Sequence, residues 1–212
     1  MTQARAGIRH IPIPDSIKPA LRFLYEFHFL TVAIFRRLGI IFYKEPIFRG
    51  RVANPSQAMV FFNMPDVTGA VDIQMGRGVL LGGGDLRVRG GPGPQRGQLI
   101  LRDHSSLGAN SRVIVHERVL LEEHCIVGIN CWISDSDSFG GGPMEQPRPV
   151  LIGRYAWVAN GVRIYAGVTI GEGAIVSAQS VVINDVPPYC VVMGNPAEVY
   201  FRNVGKPKRK LS

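Results

Sequence analysis

PVLIGRYAWVANGVRIYAGVTIGEGAIVSAQSVVINDV (149–186) places an aliphatic residue at every sixth position: Ile152, Val158, Ile164, Ile170, Val176 and Val182. Four places after each stands a small or β-branched residue: Ala156, Val162, Val168, Ala174, Ser180 and Val186. The same phase runs upstream through Val115, Leu121, Val127 and Ile133, with Val113, Val119, Cys125 and Cys131 in the small position. A period of six matches neither a helix, at 3.6, nor a strand, at two. It matches a parallel β-helix, in which each hexad is one short strand and a corner and three hexads make a coil of eighteen residues. The fold class expected is therefore all-β.

Working outward, the phase extends back to Gly97, although Gly97, Asp103 and Ala109 are weak occupants of the aliphatic site. Residues 50–100 are less regular, with Ile73 and Val79 marking early coils and GGPGPQRG (90–97) reading as a turn. The polar stretch SDSDSFGGGPMEQPRP (134–149) interrupts the repeat, and the step from Ile133 to Ile152 exceeds one coil, so a loop protrudes there. Long loops on rigid repeat scaffolds are where function concentrates. Three regions follow: an N-terminal arm and apolar helix (1–50), a β-helix (51–201) carrying the loop at 134–149, and a basic tail (202–212).

Residues 15–43 read as a helix, capped by Asp15 or Ser16 and apolar on nearly all sides. Its longest uncharged run, Phe27 to Phe35, falls well short of the ~20 residues that span a bilayer. Two placements are open: burial against the β-helix or a neighbouring subunit, or contact of residues 21–43 with a membrane surface, with Arg36 and Arg37 at the headgroups.

The chain has 212 residues, enough for one substantial core, and a formal charge of +8 that suits an anionic partner. It shows no nucleic-acid-binding module, so phosphates of a small cofactor or anionic lipid fit better than nucleic acid. Gly, at 25, and Pro, at 15, are frequent, as many tight corners require. Cys125, Cys131 and Cys190 form no C-x-x-C pair; an odd count with two in inward positions reads as core packing in a reducing compartment. No basic segment followed by an apolar run and cleavage site opens the chain, and the expected location is cytoplasmic, with a peripheral membrane position open.

Ile152-Gly153, Trp157, Gly167-Val168-Thr169-Ile170-Gly171, Ser180-Val181-Val182, Asp185-Val186-Pro187-Pro188 and Gly194-Asn195-Pro196-Ala197 form a specific combination. Through them the segment 149–201 resembles the hexapeptide-repeat acyltransferases, in particular the maltose, galactoside and colanic-acid or capsule sugar O-acetyltransferases. The resemblance is strong over about 109–201, weak over 70–108 and absent before. It implies a left-handed parallel β-helix, a homotrimer, and acetyl-CoA held in the groove between subunits as donor to a hydroxyl of a sugar or glycan.

Acetyl transfer to a hydroxyl needs a base for the proton, donors for the developing oxyanion, and a thioester within reach. The family's base is a histidine in the loop after an Asp-x-Asp motif. Here the loop reads Asp135-Ser136-Asp137-Ser138-Phe139, with Phe139, an acceptor-side position, where that histidine is expected. At eighteen residues per coil His116 falls below Ser134 and beside Asp135, and His124 below Gly142. Either histidine can serve as the base, with Asp135 or Asp137 orienting the imidazole. Catalysis by proximity alone, or a catalytically inactive scaffold or ligand-binding module, are the alternatives.

By family position Asn110 faces the acceptor, while Ala159, Asn160, Ser177 and Ala178 border the pantetheine arm. The family's cations for the cofactor phosphates are replaced by Ile183-Asn184 and Glu198, leaving Arg202 and Lys206 to Lys210. The γ-class carbonic anhydrases share the fold and bind zinc through three histidines. His104, His116 and His124 do not reproduce that spacing, so no metal is expected.

Overall fold

The computed structural model describes residues 65–82, 87–90, 95–136 and 146–204, the backbone of 58–60, and the helical positions Phe27, His28, Leu30, Thr31, Ile34, Leu38 and Gly50. The remainder of the expected helix 15–43, Asp137, Phe139 and the lysines of 205–212 lie outside the described residues.

The described strands visit three faces in turn and form a triangular prism. The first face stacks β1 (Ala58–Val60), β4 (Val79–Leu81), β7 (Ser106–Leu107), β10 (Ile126–Val127), β13 (Trp157–Val158), β16 (Ile175–Val176), β18 (Cys190–Gly194) and β19 (Ala197–Arg202). The second holds β2 (Asp66–Thr68), β5 (Arg87–Gly90), β8 (Arg112–Val115), β11 (Trp132–Ser134), β14 (Arg163–Ile164) and β17 (Val181–Val182). The third holds β3 (Val71–Met75), β6 (Gly97–Leu101), β9 (Arg118–Leu121), β12 (Val150–Ile152) and β15 (Thr169–Ile170). Every pairing is parallel except β18 with β19, an antiparallel hairpin that ends the stack and that the hexads do not foretell.

The hexad rule works as steric bookkeeping along the chain. Ile152, Val158, Ile164, Ile170, Val176 and Val182 are buried, and so are Ala156, Val162, Val168, Ala174, Ser180 and Val186. The aliphatic side chains fill the prism and the small ones let the chain turn inside each corner. Each fully buried valine, leucine or isoleucine contributes roughly 1.5–3 kcal/mol. All three cysteines are free and buried, in agreement with packing roles. Burial, and secondarily the negative charge of Glu122, push the Cys125 thiol up to about 12.

One sequence expectation fails upstream. The register pairs Leu101 with Leu121, Leu107 with Val127 and Val113 with Ile133, a coil of twenty residues instead of eighteen. Leu101, Leu107 and Val113 therefore occupy the aliphatic column, not Gly97, Asp103 and Ala109. The two extra residues lie between β8 and β9, at His116 and Glu117, and lengthen that corner.

The three corners differ in character. Between the first and second faces, Asn110, Asn130, Gly161 and Gln179 share left-handed φ values of 57°, 57°, 70° and 62°. Asparagine tolerates that region, and Gly161 adopts it without the strain a Cβ would bring at φ +70°. Between the third and first faces, Gly78, His104, His124, Tyr155, Gly173 and Tyr189 form another left-handed column. The third corner, between the second and third faces, carries the loop.

Among the described residues no helix is long and apolar enough to cross a membrane. The described helical positions include Phe27, Leu30, Ile34 and Leu38, all substantially exposed. Their spacing puts them along one helical stripe.

Candidate active site

The corner that departs from the repeat is the one that gathers chemistry. β11 does not end in loop at Ser134: Ser134, Asp135 and Ser136 continue the coil and are buried. The protrusion is therefore shorter at its start than the 134–149 read from composition. Ser134 Oγ donates to the Ser136 carbonyl at 2.7 Å and accepts from the Ser136 N–H at 3.2 Å. The returning Arg148 N–H donates to the Asp135 carbonyl at 2.8 Å, so the loop is clamped at its base.

Asp135 points down onto the lengthened β8–β9 corner. Its carboxylate accepts the N–H groups of His116 (2.8 and 2.9 Å to the two oxygens), Glu117 (2.7 Å) and Arg118 (2.9 Å). Three successive N–H groups converging on one carboxylate make an anion nest, and the side chain is completely buried in it. An eighteen-residue coil would lack the extra corner residues that supply this nest.

His116 lies beside that carboxylate, with Nδ1 3.5 Å from Asp135 Oδ1 and a side chain 12% exposed. Nδ1 is buried and makes no hydrogen bond among the described residues, so the contact is a long one. Catalytic hydrogen bonds in unliganded enzymes are often long in this way. Register places His116 one coil below Ser136, two residues along from the expected position below Ser134.

His124 sits at the corner between β9 and β10, not at the Asp135 corner. Its ring is stacked between His104 (centroids 5.0 Å apart) and Tyr155 (5.1 Å). The residue above it is Tyr155, whose N–H donates to Glu123, not Gly142 as coil counting suggests. The stack offers packing to residues held in the left-handed region, where non-glycine residues are uncommon.

Asn110 joins Asn130 at the first corner. Ala159 and Asn160 lie on the same corner two coils beyond Asn110, and Ser177 and Ala178 three coils beyond it. Asn160 Oδ1 accepts the Ile129 N–H at 3.0 Å, and the Ala159 carbonyl accepts the Cys131 thiol at 3.2 Å. Those polar atoms already serve the corner, leaving an edge of small side chains. Arg202 is exposed at the end of β19. On one chain this corner and the His116 corner are separate edges of the prism. No cluster of three or more His, Cys, Asp or Glu side chains suited to a metal occurs among the described residues.

Two clefts were not anticipated. One, of about 370 Å³, is bordered by Tyr155, Trp157, Glu172, Ile175, Tyr189 and Val204. In it Tyr189 Oη donates to Glu172 Oε1 at 2.6 Å, and this bond raises the phenol's pKa above its ordinary value. The other, of about 430 Å³, lies on the second face among Asn110, Arg112, Asn130, Trp132, Arg163 and Tyr165. The signal for the second was present: Trp132 and Arg163 each precede an aliphatic hexad residue, the outward position of a strand. The two-residue slip hides Arg112 from that column.

Residues 149–184 match the family described as bacterial transferase hexapeptide (six repeats). Over those residues the chain carries the hexapeptide repeat of bacterial transferases. Serine acetyltransferase of Bacillus subtilis (strain 168) is 34% identical over 95 residues, covering 44% of this chain and 44% of that protein. The match thus spans less than half of that relative's length.

Among solved structures, AntD, an N-acyltransferase from Bacillus cereus in complex with dTDP and 3-hydroxybutyryl-CoA, superposes with a TM-score of 0.56 at 17% identity, over 70% of this chain and 79% of that one. The acetyltransferase domain of PglB from Neisseria gonorrhoeae FA1090, in complex with acetyl coenzyme A, gives a TM-score of 0.50 at 20% identity, over 68% and 57%. These two likenesses concern the fold, the left-handed parallel β-helix of the hexapeptide-repeat proteins.

Proposed function

We propose that this hexapeptide-repeat protein is an acyltransferase that moves an acetyl group from acetyl-CoA to a hydroxyl of a sugar or glycan acceptor. The observation that carries the proposal is the His116 imidazole held beside the buried Asp135 carboxylate at the base of the loop. Acetyl-CoA supplies an activated thioester acyl group. His116, with Nδ1 facing Asp135 at 3.5 Å, presents Nε2 as the base that takes the acceptor hydroxyl's proton and passes it to the departing thiolate. Asp135, held in place by three N–H donors, orients the imidazole from one side. Asp137 and Phe139 belong to the loop side of this reading, whereas His124, stacked at another corner of the chain, does not share the Asp135 carboxylate.

The donor fits the first corner, where Ala159, Ser177 and Ala178 leave backbone open to an extended pantetheine arm and Asn160 shapes the turn. Arg202 is the described cation we assign to its phosphates. Since the base and this corner lie on different edges of one chain, the complete site requires two copies. A homotrimer is supported by the outward residues of the first face, where Leu80, Ser106, Ile126, Trp157, Ile175, Val191 and Phe201 fall in one register column, apolar except at Ser106. Leu80, Ile126, Trp157 and Phe201 are exposed on the single chain, an apolar strip that association would cover.

The membrane-peripheral cytoplasmic placement is carried forward with this reading. Its support is the exposed Phe27, Leu30, Ile34 and Leu38, and flotation with anionic vesicles tests it. A non-catalytic ligand-binding role is favoured by Phe139, Asn184 and Glu198, which stand where the family carries its base and cations. Calorimetric titration with acetyl-CoA, with thiol release followed in parallel, decides between the two. Saturable binding with slow thioester cleavage supports the transferase. Absence of binding at millimolar acetyl-CoA defeats it.

A further inference from the structure

The outward column of the second face reads Asp66, Arg87, Arg112, Trp132, Arg163 and Val181 in register, strand by strand. Between the two ends stand three arginines and one indole, with no acidic residue among them. Arg87 and Arg112 are direct cross-strand neighbours. Among the described residues the ion pairs engage Arg77, Arg96, Arg154 and His116, not Arg112 or Arg163. Both guanidinium groups are solvent-accessible and border the 430 Å³ cleft.

The rest of that cleft has the chemistry of a sugar site. Trp132 and Tyr165 meet at 56° with centroids 5.1 Å apart, forming an angled aromatic wall for the apolar face of a pyranose. Asn110 and Asn130, one coil apart on the adjoining corner, contribute amide groups to the same cleft. Arg112 and Arg163 flank Trp132 on either side, each one strand away, so an anion seated over the indole meets a guanidinium from both directions. Guanidinium groups bind carboxylate and phosphate in a bidentate geometry.

We propose that this cleft is a binding subsite for an anionic sugar, a pyranose bearing a carboxylate or phosphate, with Arg112 and Arg163 holding the charge and Trp132 and Tyr165 holding the ring. It rests on the transferase reading only in naming that sugar as the acceptor. Asp135 directly follows β11, the strand that carries Trp132, so the cleft and the buried carboxylate belong to the same stretch of chain.

The test is calorimetry on the full chain with tri-galacturonate and galactose 6-phosphate, against galactotriose, galactose and inorganic phosphate. Acetyl-CoA is titrated separately into the same samples. At least one charged sugar is expected to bind about tenfold or more tighter than its neutral counterpart and tighter than inorganic phosphate. Arg112→Gln and Arg163→Gln should each remove about that tenfold preference, while Arg163→Lys should retain part of it. Both sites are exposed, so melting temperatures should match the parent. Which charged sugar binds identifies carboxylate or phosphate as the group read.

Equal or undetectable binding of charged and neutral sugars overturns the inference. So does unchanged preference in both glutamine variants, or inorganic phosphate binding as tightly as the sugar phosphate. If the sugars fail while acetyl-CoA binds, this subsite falls and the transferase reading stands. If acetyl-CoA fails while the charged sugar binds, the subsite stands and the donor reading falls.

Discussion

Asp135→Ala should destabilise the protein by about 3–5 kcal/mol, more than most single surface changes. The carboxylate is fully buried and accepts three successive backbone N–H groups. Hydrogen bonds to charged groups are worth roughly 1.5–3 kcal/mol each, and removing one partner leaves the others unsatisfied. Full additivity would give more, but Glu117 and Arg118 are exposed, so water can reach part of the opened corner. Breaking a buried charge site by removing one side costs roughly 3–5 kcal/mol, which sets the range.

Asp135→Asn should fall lower, near 2 kcal/mol, because its carbonyl keeps one acceptor while its amide sets donors against donors. His116→Asn should cost under about 1 kcal/mol, since the imidazole makes no hydrogen bond that the fold uses. Urea unfolding followed by far-UV circular dichroism measures all three, with an unchanged slope confirming that the native state is the one affected. A loss below about 1 kcal/mol for Asp135→Ala, or a larger loss for His116→Asn, would refute the view that Asp135 holds the corner and His116 does not.

Three further outcomes follow from the packing. Ellman's reagent should find no rapidly reacting thiol in the native protein at pH 8 and all three in denaturant, because every cysteine is buried and Cys125 is pushed up to about 12. Tyr189 donates to Glu172, which raises its folded pKa above the unfolded value of about 10. The stability from that bond is complete below pH 10 and disappears as pH rises through the folded value. Ultraviolet titration of Tyr189→Phe should accordingly lose a late tyrosinate step. Gly171→Ala should cost about 1–3 kcal/mol by thermal melting, since a Cβ there would sit 2.4 Å from the Pro188 backbone nitrogen.

The fold was legible from Val119 onward because each hexad repeats one steric decision, an aliphatic inward and a small residue at the corner. Ile152 through Val182 obey it without an exception. Upstream the rule misled, since the two-residue slip at His116 and Glu117 shifts every earlier coil and no residue type marks it. A slip of two preserves the alternation of a strand, so Val113 and Val115 are both buried and satisfy either phase.

The same slip explains why the site was half legible. Asp135 and His116 were readable as neighbours because one coil brings them close under either count. The nest of N–H groups was not readable, since it exists only where the corner is long. His124 looked equivalent to His116 in sequence; their separation is a matter of which corner each occupies. The Arg112–Trp132–Arg163 column was invisible for a simpler reason, that outward residues obey no repeat and only register aligns them.

The most direct test of the central claim is the rate of thiol release from saturating acetyl-CoA, with neutral and acidic oligosaccharides as acceptors, in the parent protein and in His116→Asn. The account predicts acetylated sugar by mass spectrometry and a fall of about a hundredfold or more in the variant, as expected for loss of a general base, with acetyl-CoA affinity retained. Equal rates in parent and variant would contradict it and remove His116 from the chemistry.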